Sequence, residues 1–153
     1  MNQVNELDFV HLHVHSEFSL VDGIIRVKEL VNNSADRGFH SVALTDLTNL
    51  FGLLEFYRTA RERGIKPIVG SEINIAKDKD SIAAPLVLIA INKQGYINLT
   101  KLVSKAYVEG QVKGEPIVFF KWLEEFSDGL IALSGGLEGC LLYTSDAADD
   151  DRS

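Results

Sequence analysis

Short apolar blocks alternate with stretches of helical periodicity along most of the chain. The apolar blocks, together with a polar–apolar alternation near the start, predict β-strands at 9–15, 41–45, 67–76, 85–92, 117–119 and 129–134. Between them, apolar residues recur every three or four positions and predict α-helices at 24–37, 50–63, 95–109 and 121–126. Gly38 and Gly64 follow two of these helices, at the position where a left-handed residue ends a helix.

The order of these elements predicts the fold class. Strands and helices that alternate along a chain typically form a parallel sheet flanked by helices, which is the α/β class. The segment 85–92 is apolar at nearly every position, as expected of a strand that is covered on both faces. In such folds functional side chains gather at the carboxyl ends of the strands, so we expect the chemistry of the protein there.

Histidines cluster on the first predicted strand. His11, His13 and His15 occupy every second position, so that a regular strand would project all three imidazoles from one face. Asp22 follows after a polar turn at 16–19. Imidazoles beside a carboxylate are typical of a metal site. The alternative is a half-buried strand whose histidines form hydrogen bonds with neighbouring loops, and the residue types alone leave both interpretations open.

Two further carboxylates lie at or near the ends of predicted strands. Asp46 follows the strand at 41–45, and Glu72 lies within the strand at 67–76. We expect Asp46 to cap its own turn through an Asx hydrogen bond to Thr48 or Asn49. Gly70 is expected to let the backbone pass close beside the candidate site.

Composition and charge narrow the class of protein. The 153 residues suit one domain, and the net charge of −7 argues against binding of nucleic acid by this segment alone. No apolar run is long enough to span a membrane, and the N-terminus lacks the pattern of a signal peptide. The single cysteine, Cys140, fits a reducing compartment, so we expect a cytoplasmic location and no membrane partner.

The last fourteen residues depart from the pattern of the rest. Residues 140–153 have no periodicity and end in an acidic run. The segment 140–150 is similar to the translation of an adapter used in sequencing libraries. We therefore expect residues 1–139 to be an incomplete natural domain and 140–153 to be a non-native tail.

Several blocks together resemble one family. The chain resembles the PHP (polymerase and histidinol phosphatase) domain at the N-terminus of bacterial DNA polymerase III alpha subunits, over about residues 7–139. The resemblance rests on FVHLHVHSEFSLVDG at 9–23, ALTDLTNLFGLLEFY at 43–57, GIKPIVGSEINI at 64–75, NKQGYINLTKLVSKAY at 92–107 and DGLIALSGG at 128–136. The first and third blocks indicate a PHP domain in general, whereas the second and fourth indicate its polymerase branch.

The resemblance implies both a fold and a site. The fold would be part of a distorted (β/α)7 barrel with mostly parallel strands and flanking helices. Family sites hold up to three metal ions and can hydrolyse phosphoesters. The matching ligands here would be His13, His15, Asp22 and Glu72, holding Zn²⁺ or Mn²⁺ weakly. His11 stands where many members have aspartate, and it is expected to be secondary.

Two departures from the family pattern imply a degenerate site. Leu47 replaces the histidine of a TDH motif, and Pro85 replaces the histidine that usually opens the next buried strand. Neither side chain can coordinate a metal, and losing ligands weakens binding. The domain is then expected to serve mainly as a scaffold that docks the proofreading 3′–5′ exonuclease subunit.

The resemblance also implies the activity of a longer parent. That parent would be a DNA-directed DNA polymerase, a nucleotidyltransferase that acts in DNA replication on DNA and dNTPs, with Mg²⁺ at a site outside this chain. Other replicase subunits would be its partners, and this fragment alone would be inactive. The alternative is a free-standing, metal-dependent PHP phosphoesterase, which Leu47 and Pro85 disfavour. A third hypothesis is a binding module without any residual metal chemistry.

Overall fold

The computed structural model of the chain describes residues 9–20 and 22–134. Its helices are α1 Val27–Asp36, α2 Leu53–Glu62, α3 Lys93–Glu109 and α4 Phe120–Glu125, with a short 3-10 turn at Glu17–Ser19. Its strands are β1 Ser41–Leu44, β2 Lys66–Ala76, β3 Ala84–Ala90, β4 Gln111–Val112, β5 Glu115–Phe119 and β6 Leu130–Ser134. The proposed tail at 140–153, including Cys140, lies outside the described residues. Within them, no helix combines the length and the apolar character needed to cross a membrane.

The predicted α/β class is confirmed, but the prediction of mostly parallel strands is wrong. The long strand β2 is parallel to β1 and to β5, whereas it is antiparallel to β3. The β3–β6 and β4–β5 pairs are also antiparallel. The connection 77–83 between β2 and β3 is short and contains no helix. A parallel pairing requires a crossover of about a dozen residues or more, so this connection forces the antiparallel arrangement.

The sheet is mixed and, in the described part of the chain, it does not close. The strand order is β4-β5-β2-β3-β6, and β1 pairs with β2 outside this path. Gly70 lets strands approach closely, because a Cβ atom there would lie 2.5 Å from the carbonyl oxygen of Leu88. The barrel expected from the resemblance is therefore not seen as a closed unit in these residues.

The prediction of a regular strand at 9–15 is wrong. Residues 9–16 run beside β1 without forming a ladder. The amide of Ala43 donates to the carbonyl of His11 at 2.9 Å, and the amide of Thr45 donates to the carbonyl of Val14, also at 2.9 Å. The two donors are two positions apart, at 43 and 45, whereas the two acceptors are three positions apart, at 11 and 14, so the segment contains one extra residue, as in a bulge. The alternation of side chains between the two faces is lost at that point.

Two apolar clusters hold the helices on the sheet. One lies between β2, β3, β5, α3 and α4 and includes Trp122, whose ring is 4.8 Å from that of Phe119. The other joins α1 and α2 to β1 around Val31, Val42 and Phe56. The strand β6 is largely outside these clusters, and its Ile131 is 45% exposed. Among the described strands, β6 pairs only with β3.

Candidate metal centre

Glu72 is fixed by backbone hydrogen bonds to residues 45–48, the segment that follows β1. Its amide donates to the carbonyls of Thr45 and Asp46 at 3.3 and 3.2 Å, and its own carbonyl accepts from the amide of Thr48 at 2.7 Å. Leu47 forms an isolated parallel bridge with it. The carboxylate therefore lies just beyond the carboxyl end of β1, and its side chain is 13% exposed. This is the strand end where the sequence pattern predicts chemistry.

His13 and His15 both direct their Nε2 atoms at the same oxygen, Oε2 of Glu72. The distance is 3.1 Å for His15, and His13 is in close contact with the same atom. The two rings lie edge to face, with centroids 5.1 Å apart. The ligand atoms of these three residues all lie within 4.8 Å of one another. The arrangement is a compact donor set of two imidazoles and one carboxylate.

His11 and Asp22, two further candidates from the sequence, are not members of this set. His11 packs edge to face on the rings of Phe9 and Phe39, at 4.7 and 5.4 Å between centroids. The prediction that all three imidazoles project together is therefore wrong, because the irregular segment turns His11 away. Asp22 is exposed and outside the donor set. Its role as a ligand stays a prediction.

The donor set shifts the pKa values of two of its members. The hydrogen bond to Glu72 raises the pKa of His15; burial opposes this, and the negative charges of Glu72, Asp46 and Asp22 add to it. The pKa of Glu72 is lowered, chiefly by the hydrogen bond from His15, again against burial. The pair thus favours an imidazolium–carboxylate. A metal ion would have to displace that proton in order to bind.

Asp46 does not cap its own turn, so that expectation is wrong. Its carboxylate, on a residue only 1% exposed, accepts hydrogen bonds from the amide and hydroxyl of Ser16 at 2.6 and 2.7 Å. The hydroxyl of Ser19 adds a third, at 2.7 Å. The tertiary structure brings these donors to Asp46, and they satisfy it more fully than a local turn could. The signal in the sequence was the pair of serines in the polar turn after His15.

The turn after Asp46 is constrained, and it touches the site. Thr48 has a positive φ of 47°, which is unusual for a β-branched residue. It is buried, and its hydroxyl has no hydrogen-bond partner among the described residues. The side-chain amide of Asn49 donates to the carbonyls of Phe18 and Leu47, both at 3.0 Å. Local strain is therefore maintained beside Glu72 by the surrounding structure.

Sequence comparison decides the family of this site. A sequence profile of the PHP domain matches residues 11–151, which contain the whole donor set. The chain belongs to the PHP domain family. This PHP chain is 48% identical over 134 residues to the DNA polymerase III subunit alpha of Pseudomonas aeruginosa, which covers 87% of this chain and 11% of that protein. It is 45% identical over 138 residues to the DNA polymerase III subunit alpha of Escherichia coli K12, and this match covers 89% of this chain and 12% of that protein.

The PHP chain thus spans only 11–12% of the length of these curated relatives. Among solved structures, it is similar to an amidohydrolase from Chromobacterium violaceum with a TM-score of 0.51 and 26% identity. That similarity covers 63% of this chain and 32% of the amidohydrolase. It agrees with the α/β class seen here.

Leu47 and Pro85 both lie beside the donor set of the PHP domain. Leu47 is the direct neighbour of Glu72 across the sheet. Pro85 pairs with Asn74, two residues along β2 from Glu72 and on the same face of that strand. A histidine at either position would start close to the donor set. In this chain both positions carry side chains without a ligand atom.

The remaining donors fit a single ion better than a cluster. Two imidazoles and one carboxylate match the protein ligands of open, catalytic-type zinc sites, in which water completes the coordination. A closed structural site needs four protein ligands. Within the described residues the donor set contains His13, His15 and Glu72. Such a set of donors would leave coordination positions to solvent.

Proposed function

We propose that this chain is the N-terminal PHP domain, in incomplete form, of a bacterial DNA polymerase III alpha subunit. The observation that carries the proposal is its 40–48% identity, over most of its length, to proteins of that name. The parent would synthesise DNA on a template from dNTPs, with Mg²⁺ held by carboxylates elsewhere in the protein. A cytoplasmic location and other replicase subunits as partners belong to the same proposal.

The boundaries of the domain are part of this proposal. Residues 1–139 would be the natural part, and later strands of the parent would complete the (β/α)7 barrel. The open order of the sheet, with β6 at one end, is compatible with such a completion. Residues 140–153 would be a non-native tail. Amplification of the gene from its source DNA, followed by sequencing across codon 139, tests this boundary directly.

Within the parent, the PHP site would be degenerate and mainly structural. His13, His15 and Glu72 would hold one ion weakly, with Asp22 as a further candidate ligand. When bound, Zn²⁺ or Mn²⁺ supplies a Lewis acid and a water of lowered pKa. The chain's own residues orient the imidazoles and hold a proton between His15 and Glu72 when no ion is present. The absence of a ligand atom at Leu47 and Pro85 supports a scaffold that docks the proofreading exonuclease subunit.

A chimera tests the proposal. Residues 9–134 replace the matching segment of the E. coli DNA polymerase III alpha subunit, and templated synthesis and binding of the exonuclease subunit are measured. We expect both to be retained close to the level of the unaltered subunit. A matched chimera carrying Ile73→Asp, which places a charge in the core, is expected to lose both. A well-folded first chimera without either property would contradict the proposal and favour a free-standing phosphoesterase.

A further inference from the structure

A buried carboxylate outside the donor set holds the segment that carries the two imidazoles. Asp46 is 1% exposed and accepts three hydrogen bonds, from the amide and hydroxyl of Ser16 and from the hydroxyl of Ser19. Burying a charge is costly unless hydrogen bonds compensate it, and bonds to a charged acceptor are the strong ones. With these donors in place, the carboxylate is committed to the loop and does not act as a ligand.

Backbone contacts also hold Ser16 and the residue after it in place. The carbonyl of Ser16 accepts from the amide of Ser19 at 2.9 Å, and the next amide, of Glu17, donates to the carbonyl of Ile25 at 2.9 Å. Gly23 packs so closely that a Cβ atom there would lie 1.8 Å from the carbonyl oxygen of Ser16. Fixing Ser16 therefore fixes the backbone immediately after His15.

Val14, the residue before His15, is anchored to Thr45, which directly precedes Asp46. The amide of Val14 donates to the hydroxyl of Thr45 at 2.8 Å, and the amide of Thr45 donates to the carbonyl of Val14 at 2.9 Å. His15 thus lies between two anchored neighbours. Thr45 holds the one before it, and Asp46 holds the one after it.

Asp46 also contacts the carboxylate side of the site through its own backbone. Its carbonyl accepts from the hydroxyl of Ser71 at 2.7 Å and from the amide of Glu72 at 3.2 Å. One residue therefore touches both halves of the donor set, with its side chain on the imidazole half and its carbonyl on the Glu72 half.

We propose that Asp46 is a positioning residue of the PHP site: its clamp on Ser16 and Ser19 sets the placement of His13 and His15 against Glu72. The inference rests on the proposed function only where it concerns metal affinity. The placement of the imidazoles is a property of the protein without metal. A purely structural role would instead change stability and leave the placement of the imidazoles intact.

The test uses the full 153-residue chain with Asp46→Asn, which keeps the shape of the side chain and removes its charge. The control is Val42→Ala, which makes a cavity in β1 and leaves the clamp intact. The first readout is the NMR signals of the His13 and His15 rings in metal-free protein, with His11 and His40 as internal references. The second is a Co²⁺ titration followed by visible absorption.

We expect Asp46→Asn to move the His13 and His15 signals, whereas Val42→Ala leaves them in place even though it lowers the melting temperature. We expect Co²⁺ affinity to fall about 10- to 100-fold in Asp46→Asn, as for other residues that orient metal ligands, and to be unchanged in Val42→Ala. Ring signals that coincide with those of the wild type in Asp46→Asn would overturn the inference. So would equal shifts in the control.

Two further variants keep the test decisive. Should Asp46→Asn not fold, Ser19→Ala removes one donor only and is expected to move the same two ring signals by less. If these variants fold, Asp46→Asn should have a smaller effect in the Ser16→Ala/Ser19→Ala background than in the wild-type chain, because only the hydrogen bond from the Ser16 amide then remains to be weakened. Additive effects would overturn the inference. A wild-type chain that binds no Co²⁺ would refute the proposed metal site, and the ring signals would still decide the role of Asp46.

Discussion

The two halves of the donor set are held in different ways. Glu72 lies within β2, which pairs with three other strands and is covered by an apolar cluster. His13 and His15 lie on a segment without a ladder of its own, which is attached by hydrogen bonds to Thr45 and Asp46. The carboxylate half should therefore follow the stability of the sheet. The imidazole half should respond to single polar substitutions that barely change the fold.

The largest effect on metal binding is expected from Glu72→Gln, which removes the carboxylate that both imidazoles contact. Both imidazoles direct Nε2 at the Glu72 carboxylate, so its loss removes the only anionic member of the donor set. We expect Co²⁺ binding to fall below detection while the circular dichroism spectrum is kept.

His11→Gln is the matched control for this change. It alters an imidazole of the same segment that packs on Phe9 and Phe39, and Co²⁺ affinity should be unchanged. Wild-type affinity in Glu72→Gln, or an equal loss in His11→Gln, would contradict the site described here.

The second-largest effect is expected on the stability of the sheet, without a change in the placement of the imidazoles. Ile73 is the neighbour of Glu72 on β2, points to the opposite face and is fully buried. Ile73→Ala should lower the free energy of unfolding by about 2–5 kcal/mol through lost packing and a residual cavity. Urea denaturation measures this. Below the unfolding transition the ring signals of His13 and His15 should be retained, and their loss would show that the two halves are not separable.

A smaller effect, a gain in metal binding, is expected when histidines are placed at the two positions that lack a ligand atom. Leu47→His places an imidazole directly beside Glu72, whereas Pro85→His places one two residues further along β2. We expect metal content after dialysis to rise from substoichiometric towards one ion per chain in the double variant, with Leu47→His contributing more. Leu54→His, an exposed position on α2, is the control. Stoichiometric metal in the wild-type chain would refute the degenerate site.

The smallest effect is a pH dependence of stability. The lowered pKa of Glu72 stabilises the fold above its ordinary value of 4.5, and this is lost as pH falls through the lowered value. The raised pKa of His15 stabilises the fold below its ordinary value of 6.5, and this is lost as pH rises through the raised value. The contribution of the pair is thus greatest between about pH 4.5 and 6.5.

Melting temperatures across this range, for the wild type and for His15→Gln, measure that contribution. The difference between the two proteins should be largest inside the window and should shrink on either side of it. His40→Gln, an exposed histidine outside the donor set, controls for the general effect of losing an imidazole. A difference that does not change with pH would contradict the ion pair.

Local pattern was enough to predict most elements. The helices and the strands β1, β2, β3, β5 and β6 were predicted from periodicity and apolar runs, with bounds off by a few residues, and Gly38 and Gly64 do have positive φ after their helices. The two-residue strand β4 was missed, because its pairing with β5 depends on a tight turn at Lys113 and Gly114. Apolar periodicity is a local property of the sequence, so it predicts an element without knowledge of the path of the chain.

The donor set was predicted in part. His13, His15 and Glu72 converge as the family resemblance implied, although no spacing in the sequence brings position 72 to position 13. Asp22 lies outside the set, and His11 packs on two aromatic rings instead. The register of the first segment decided this, because one extra residue between its hydrogen bonds to Ala43 and Thr45 reverses which side chains share a face.

The sequence by itself determined the family, the α/β class and the residue types available for chemistry, since these depend on composition and on short-range pattern. The antiparallel course of β3 was not predicted, although the short connection 77–83 already implied it. Only the tertiary structure decided the exclusion of His11 and the hydrogen bonds from Ser16 and Ser19 to Asp46. The physical reason is that the register of the first segment and the partners of these hydrogen bonds follow from the path of the chain in space, so neither is encoded in the periodicity of the residues that take part.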